Sequence, residues 1–110
     1  MGGRRASEVL ALPVRAHGIQ LGRPADALLD ERAERVIGFA VLCGDGAERF
    51  LPYAVARVRE DEIAIDSAWL LIDERDLDFY RRRSRSLARS GYHEPRIDDD
   101  GSVRETLSAA

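Results

Sequence analysis

Up to residue 66 the apolar positions come in short runs, each closed by glycine, proline or acidic residues. That pattern predicts strands joined by tight turns. Ser7 stands where it would cap a short helical turn through Val9 and Leu10, ended by the approach to Pro13. A first strand follows over 13–16. His17-Gly18 reads as a tight turn and Gly22 as a bend or bulge, since glycine takes positive φ without steric cost. Residues 24–30 form a second strand, and 30–34 a polar connection that also suits one helical turn. The clearest strand is 35–43, which is β-branched, aromatic and nearly continuously apolar. Such a run belongs to a central strand covered on both faces. Gly38 within it marks a bulge or a sharp corner.

Gly44-Asp45-Gly46 is a hairpin turn signal. Strands are expected over 48–51 and, after the break at Pro52-Tyr53, over 55–59 with a bulge or short turn near Ala56. Glu60-Asp61 is a two-residue turn. Ile63 and Ile65 then share one face of a last strand, opposite Glu62, Ala64 and Asp66. About six short strands joined this way predict a mainly β fold, a small closed antiparallel β-barrel filled by its own side chains. Closure removes the exposed strand edges that invite aggregation.

The period changes after residue 72. Leu77, Tyr80, Ser84, Leu87 and Ala88 recur at three- and four-residue spacing. They predict one amphipathic helix over 73–91, with Asp73 as N-cap, Asp76 in its first turn and Gly91 at its C-terminus. Acids lead and arginines follow, which complements the helix dipole. Asp78 and Arg82 stand four apart as a favourable pair. Pro95, the aspartates at 98–100 and Gly101 predict a flexible acidic tail. The expected division is a frayed N-terminus over 1–6, the barrel over 7–72, the helix over 73–91 and the tail over 92–110.

Composition narrows the functional classes. The chain has 110 residues, 45% hydrophobic and 34% charged, which suits one domain with a modest core. All basic residues are arginines, and the net charge of −3 is not that of an overall basic nucleic-acid binder. The charge is uneven, however: residues 73–91 carry six arginines against four acids, between two acidic stretches. Cys43 is the only cysteine, so no internal disulfide or CxxC pair exists, and a reducing cytoplasm is the expected setting. No apolar run approaches the roughly 18 residues that span a bilayer. No signal-like apolar segment follows Met1 to Arg5.

One order of residues resembles a known family. It runs Leu12-Pro13-Val14, Leu21-Gly22, Ala27-Leu28-Leu29-Asp30, Arg35-Val36-Ile37-Gly38-Phe39-Ala40-Val41 and Phe50-Leu51-Pro52-Tyr53, closing with Val55, Ile63 and Ile65. Over residues 7–68 this resembles the PRC-barrel domain. That small barrel is shared by the cytoplasmic part of the photosynthetic reaction-centre H subunit and the C-terminal half of a bacterial ribosome maturation factor. The resemblance implies a binding or assembly module with no shared catalytic residues.

Catalytic chemistry finds little footing in the residues. His17 and His93 are far apart, whereas a metal needs three or four converging ligands. Cys43 has apolar neighbours and reads as a packed small side chain. The run Asp98-Asp99-Asp100-Gly101 lacks the alternating ligands of a calcium loop. Gly44-Asp45-Gly46 lacks the context of a phosphate loop. Trp69, Leu70, Leu71 and Ile72 either cover the barrel end and seat the helix, or form an exposed apolar dimer patch. The most pointed feature is Tyr80 with Arg81, Arg82, Arg83 and Arg85, because arginine forks match carboxylates and phosphates.

The expectation is therefore a non-catalytic interaction module without metal, cofactor or small-molecule substrate. Its contact residues would be Tyr80, Arg81, Arg82, Arg83 and Arg85, meeting a protein partner or a second copy. Two alternatives stand beside it: an RNA- or ribosome-associated role for the arginine helix, and an accessory role related to the reaction-centre subunit.

Overall fold

The structure, a computed structural model, describes residues 3–105. It is mainly β. Among the described residues ten strands form: β1 (Arg4–Arg5), β2 (Val14–Ala16), β3 (Ile19–Leu29), β4 (Val36–Cys43), β5 (Glu48–Pro52), β6 (Arg57–Val58), β7 (Ile63–Ile65), β8 (Arg85–Ser86), β9 (Pro95–Ile97) and β10 (Val103–Glu105). Two α-helices accompany them, α1 (Ala6–Leu10) and α2 (Glu74–Arg82). The larger sheet runs β5-β4-β3-β2-β7-β6, with β8 also paired to β3. The smaller sheet runs β1-β9-β10.

The turn chemistry of the sequence operates as expected. His17 and Gly18 both take positive φ, 50° and 80°, the geometry of a two-residue hairpin turn between β2 and β3. Gly46 takes φ 86° in the β4–β5 turn, where the Asp45 carboxylate accepts the Ala47 amide at 3.0 Å. Bulges fall beside both glycines that signalled them. Val14 pairs with Gly22 while Arg15 pairs with Gln20, which leaves Leu21 extra. Leu28 pairs with Gly38 while Leu29 pairs with Val36, which leaves Ile37 extra.

The large sheet is not closed into a barrel, in contrast to the sequence expectation. The outer edge of β5 is met by Ile72, which exchanges both backbone hydrogen bonds with Phe50 at 2.7 and 2.9 Å. The sheet is also not wholly antiparallel, because β2 and β7 run parallel. Its two faces explain why the central strand is apolar throughout. One face sends Val14, Ala27, Leu29, Phe39, Val41, Leu51, Ile63 and Ile65 into the main core. The other sends Leu28, Ala40 and Phe50 against Leu77 of α2. Burial of each large aliphatic or aromatic side chain contributes about 1.5–3 kcal/mol.

Several local expectations are corrected. Ser7 lies inside α1, whose N-cap is Arg5 without a side-chain cap bond. Asp73 does hold the N-cap position of α2, again without a side-chain cap bond. The helix ends at Arg82 rather than near Gly91. The chain is diverted there because Arg85 and Ser86 pair with the open edge of β3 at Leu29 and Leu28. Leu87 then enters the main core from a 3-10 turn, Leu87–Arg89. Asp78 and Arg82 form no ion pair.

The ends of the chain are built into the fold. Arg4 and Arg5 are not frayed but pair with Ile97 and Arg96 of β9. The stretch expected to be a flexible tail forms the β9–β10 hairpin, and Ile97 and Val103 join the main core. Barrel, helix and tail are thus not separate parts, since Ala6, Leu51, Leu87, Ile97 and Val103 share one cluster. The last five positions, 106–110, and positions 1–2 lie outside the described residues.

Candidate functional site

Leu77 is the buried residue of α2, and Tyr80, one turn on, is half-buried and stacks on Phe50. Those two side chains seat the helix on the sheet and determine where its arginines go. Tyr80, expected as a contact residue, thus has one ring face on Phe50 and is only half-buried. Arg81 bonds both carboxylate oxygens of Glu48 on β5. Arg83 lies over the Phe79 ring at 3.7 Å and donates to the Phe79 carbonyl at 3.3 Å. Arg85 donates its Nε–H to the Glu31 carbonyl at 2.8 Å. Arg82 is exposed and has no ion pair among the described residues.

The five predicted residues thus do not act as one face. Arg81 and Arg85 line a groove of about 660 Å³ between the end of α2, β8 and the outgoing end of β3. Arg89 lines the same groove, and Arg82 and Arg83 do not. Ser84, Ser86 and Ser90 complete its polar wall, and Leu28 and Ala33 its apolar part. The one carboxylate there, Asp26, accepts the Ser86 hydroxyl and the Ala88 amide, and it forms no ion pair with the arginines. Arg89 is exposed and has no ion pair among the described residues. The groove is consequently cationic, with guanidinium forks that fit carboxylate or phosphate oxygens.

Arg89 was missed by the sequence reading. No spacing singles it out, because Arg85 and Arg89 lie beyond the end of α2. The groove exists because the helix stops and the chain turns back along β3, which the spacing alone does not announce.

A second concave surface lies beside the run from Trp69 to Ile72. Leu70 and Leu71 pack against the main core and Ile72 against the Phe50 cluster, but Trp69 is 94% exposed. Three residues of the apolar run therefore pack as expected of a cover for the sheet, and Trp69 alone stays exposed. Trp69 stands over a groove of about 610 Å³ with Leu21, Cys43 and Leu71 in its wall and Asp73 at its rim. Across it, Arg49 holds Asp45 through two bonds of 3.0 and 2.9 Å, which with the Ala47 amide lowers the Asp45 pKa to about 2.

The remaining candidates stay apart. The His17 ring bonds the Asp66 carbonyl at 2.8 Å, and His93 is exposed beside Glu105. Cys43 is buried, with its Sγ 3.7 Å from the Val41 carbonyl. Asp98 to Asp100 form the β9–β10 turn, in which Asp98 pairs with Arg104 and Asp100 with Arg35. Among the described residues no three His, Cys, Asp or Glu side chains are grouped to hold a metal. Among the described residues no helix is long and apolar enough to cross a membrane. No protein-family model, curated protein or solved structure matches the chain.

Proposed function

We propose that the chain is a non-catalytic interaction module that docks an acidic segment of a protein partner in the groove of Arg81, Arg85 and Arg89. The observation that carries this reading is that Arg81, Arg85 and Arg89 line one concavity, where Arg81 is paired with Glu48, Arg89 has no ion pair among the described residues, and the lining carboxylate Asp26 is held by Ser86 and the Ala88 amide. A concave cationic wall on a sheet-backed scaffold offers bidentate sites at low ordering cost. Acidic protein is favoured over RNA because Tyr80, the aromatic that would stack a base, is already stacked on Phe50.

In this reading the resemblance to PRC-barrel assembly modules agrees with the role, but the open sheet departs from the closed barrel it implies. The groove, not the resemblance, supports the proposal. No observation favours the reaction-centre accessory role. The lone buried Cys43 fits a reducing cytoplasm.

The test is fluorescence anisotropy with a labelled glutamate-rich peptide against the native chain and the variant Arg85→Glu/Arg89→Glu. The native chain should bind, more weakly with added salt, and the variant should lose that binding. Equal binding by the variant, or stronger binding of single-stranded RNA than of the peptide, would overturn the proposal.

A further inference from the structure

Trp69 is the residue the fold leaves least explained. Its backbone is fixed in a 3-10 turn, Ala68–Leu70, where the Trp69 amide donates to Ser67 Oγ at 3.1 Å. Its neighbours Leu70 and Leu71 turn inward, yet the indole stands 94% exposed over the groove of Leu21, Cys43 and Leu71. Tryptophan is the side chain most enriched at the energetic centres of protein interfaces. An indole held in water at the rim of an apolar groove has the form of such an anchor before its partner arrives.

The charge around the groove says what would cover it. Asp45 is already held by Arg49. Asp73 at the rim and Glu74 beside it are exposed and have no ion pair among the described residues. The surface thus offers an aromatic face next to unpaired carboxylates. Arginine satisfies both at once, with its guanidinium over the indole and its fork on a carboxylate. This chain carries such arginines at the opposite end of α2, where Arg85 and Arg89 line the cationic groove. The nine residues of α2 separate the two ends by about 13 Å. Within one molecule the patches therefore stay apart, and between molecules they are complementary.

We propose that the Trp69 groove is occupied by a second copy of this chain, which lays Arg85 and Arg89 across the indole and against Asp73 and Glu74. The inference rests on the reading of the arginine groove given above and names its acidic partner as this same chain. The contact joins unlike patches, so two of them made reciprocally, or a ring of them, close the assembly.

Trp69 is the only tryptophan, so its emission reports on this surface alone. With rising protein concentration at low salt, its emission should shift to shorter wavelength and acrylamide quenching should fall several-fold. Sedimentation mass should rise in step, and high salt should reverse all three. The variants Arg85→Glu/Arg89→Glu and Asp73→Arg/Glu74→Arg, each checked for native circular dichroism, should each stay monomeric alone. Mixed in equal amounts they should associate, because each supplies the charge the other has reversed. A native chain that stays monomeric with unchanged emission, while still binding the glutamate-rich peptide, overturns this contact and leaves the groove's role standing. Loss of peptide binding as well removes both. Association that survives in the arginine variant also overturns it, since the partner surface would then lie elsewhere.

Discussion

Tyr80 stacks on Phe50 with ring centroids 4.2 Å apart and planes 11° from parallel. That contact joins α2 to β5 and carries Arg81 to Glu48, so the cationic groove depends on it. Stacked aromatic pairs contribute about 0.5–1.5 kcal/mol beyond their buried area. A double-mutant cycle of Phe50→Leu and Tyr80→Leu, read by urea denaturation, should return a coupling of about that size. Phe50→Ala should cost about 3–5 kcal/mol, since it also opens the Leu28–Ala40–Leu77 cluster. A coupling near zero would mean the rings are merely adjacent.

Gly38 lies against the partner ring of that pair. A Cβ there would stand 2.5 Å from two Phe50 ring carbons and 2.4 Å from the Leu51 carbonyl. Gly38→Ala should therefore cost about 1–3 kcal/mol as an overpacked site. Gly44→Ala meets nothing within 4 Å and should change stability by no more than about 0.5 kcal/mol. Thermal unfolding of the two variants separates the outcomes.

The Asp45–Arg49 pair sets a pH signature. Arg49, then the Ala47 amide, lowers the Asp45 pKa from 3.8 to about 2 in the folded chain. The contribution of a carboxylate with a depressed pKa is complete above its unfolded value and is lost as pH falls toward the folded one. The Asp45 carboxyl carbon shift should titrate with a midpoint about 2, and Arg49→Gln should return it toward 3.8. A normal midpoint in the native chain would contradict the pair. Because both groups are at the surface, the effect on global stability should be small.

The C-terminal hairpin should behave as core. Ile97 is buried among residues of both chain ends, and the Val103 amide donates to the Glu34 carbonyl at 2.7 Å. Ile97→Ala should cost about 2–5 kcal/mol, and the Val103 amide should be protected from hydrogen exchange. A tail without fixed structure would show neither effect.

What the sequence showed and what it hid divide along sequence separation. The strand at 36–43, its hairpin at 44–46 and the His17-Gly18 turn are local, and apolar runs and glycines announce them. The open sheet is not local. It turns on whether Ile72 or another strand meets Phe50, and both choices use the same apolar residues. The tail misled because Ile97 and Val103 are two apolar residues in a polar stretch, and what fixes them is distant in sequence: Ile97 pairs with Arg4, and the Val103 amide bonds the Glu34 carbonyl. The helix overran because Leu87 fits helical spacing as well as it fits the core position it takes from a 3-10 turn. The site was half legible. The arginine run drew attention to Arg81 and Arg85, but no spacing tells that Tyr80 turns to Phe50, that Arg83 lies over Phe79, or that Arg89 joins the groove.

The central claim is that the groove of Arg81, Arg85 and Arg89 is where an acidic partner docks. It is tested most directly by backbone NMR of the native chain titrated with a glutamate-rich peptide. The account predicts shift changes concentrated over residues 81–90 and at Asp26 and Ala33, reversed by salt. Changes centred on the β9–β10 turn, or an unperturbed spectrum at saturating peptide, would contradict it.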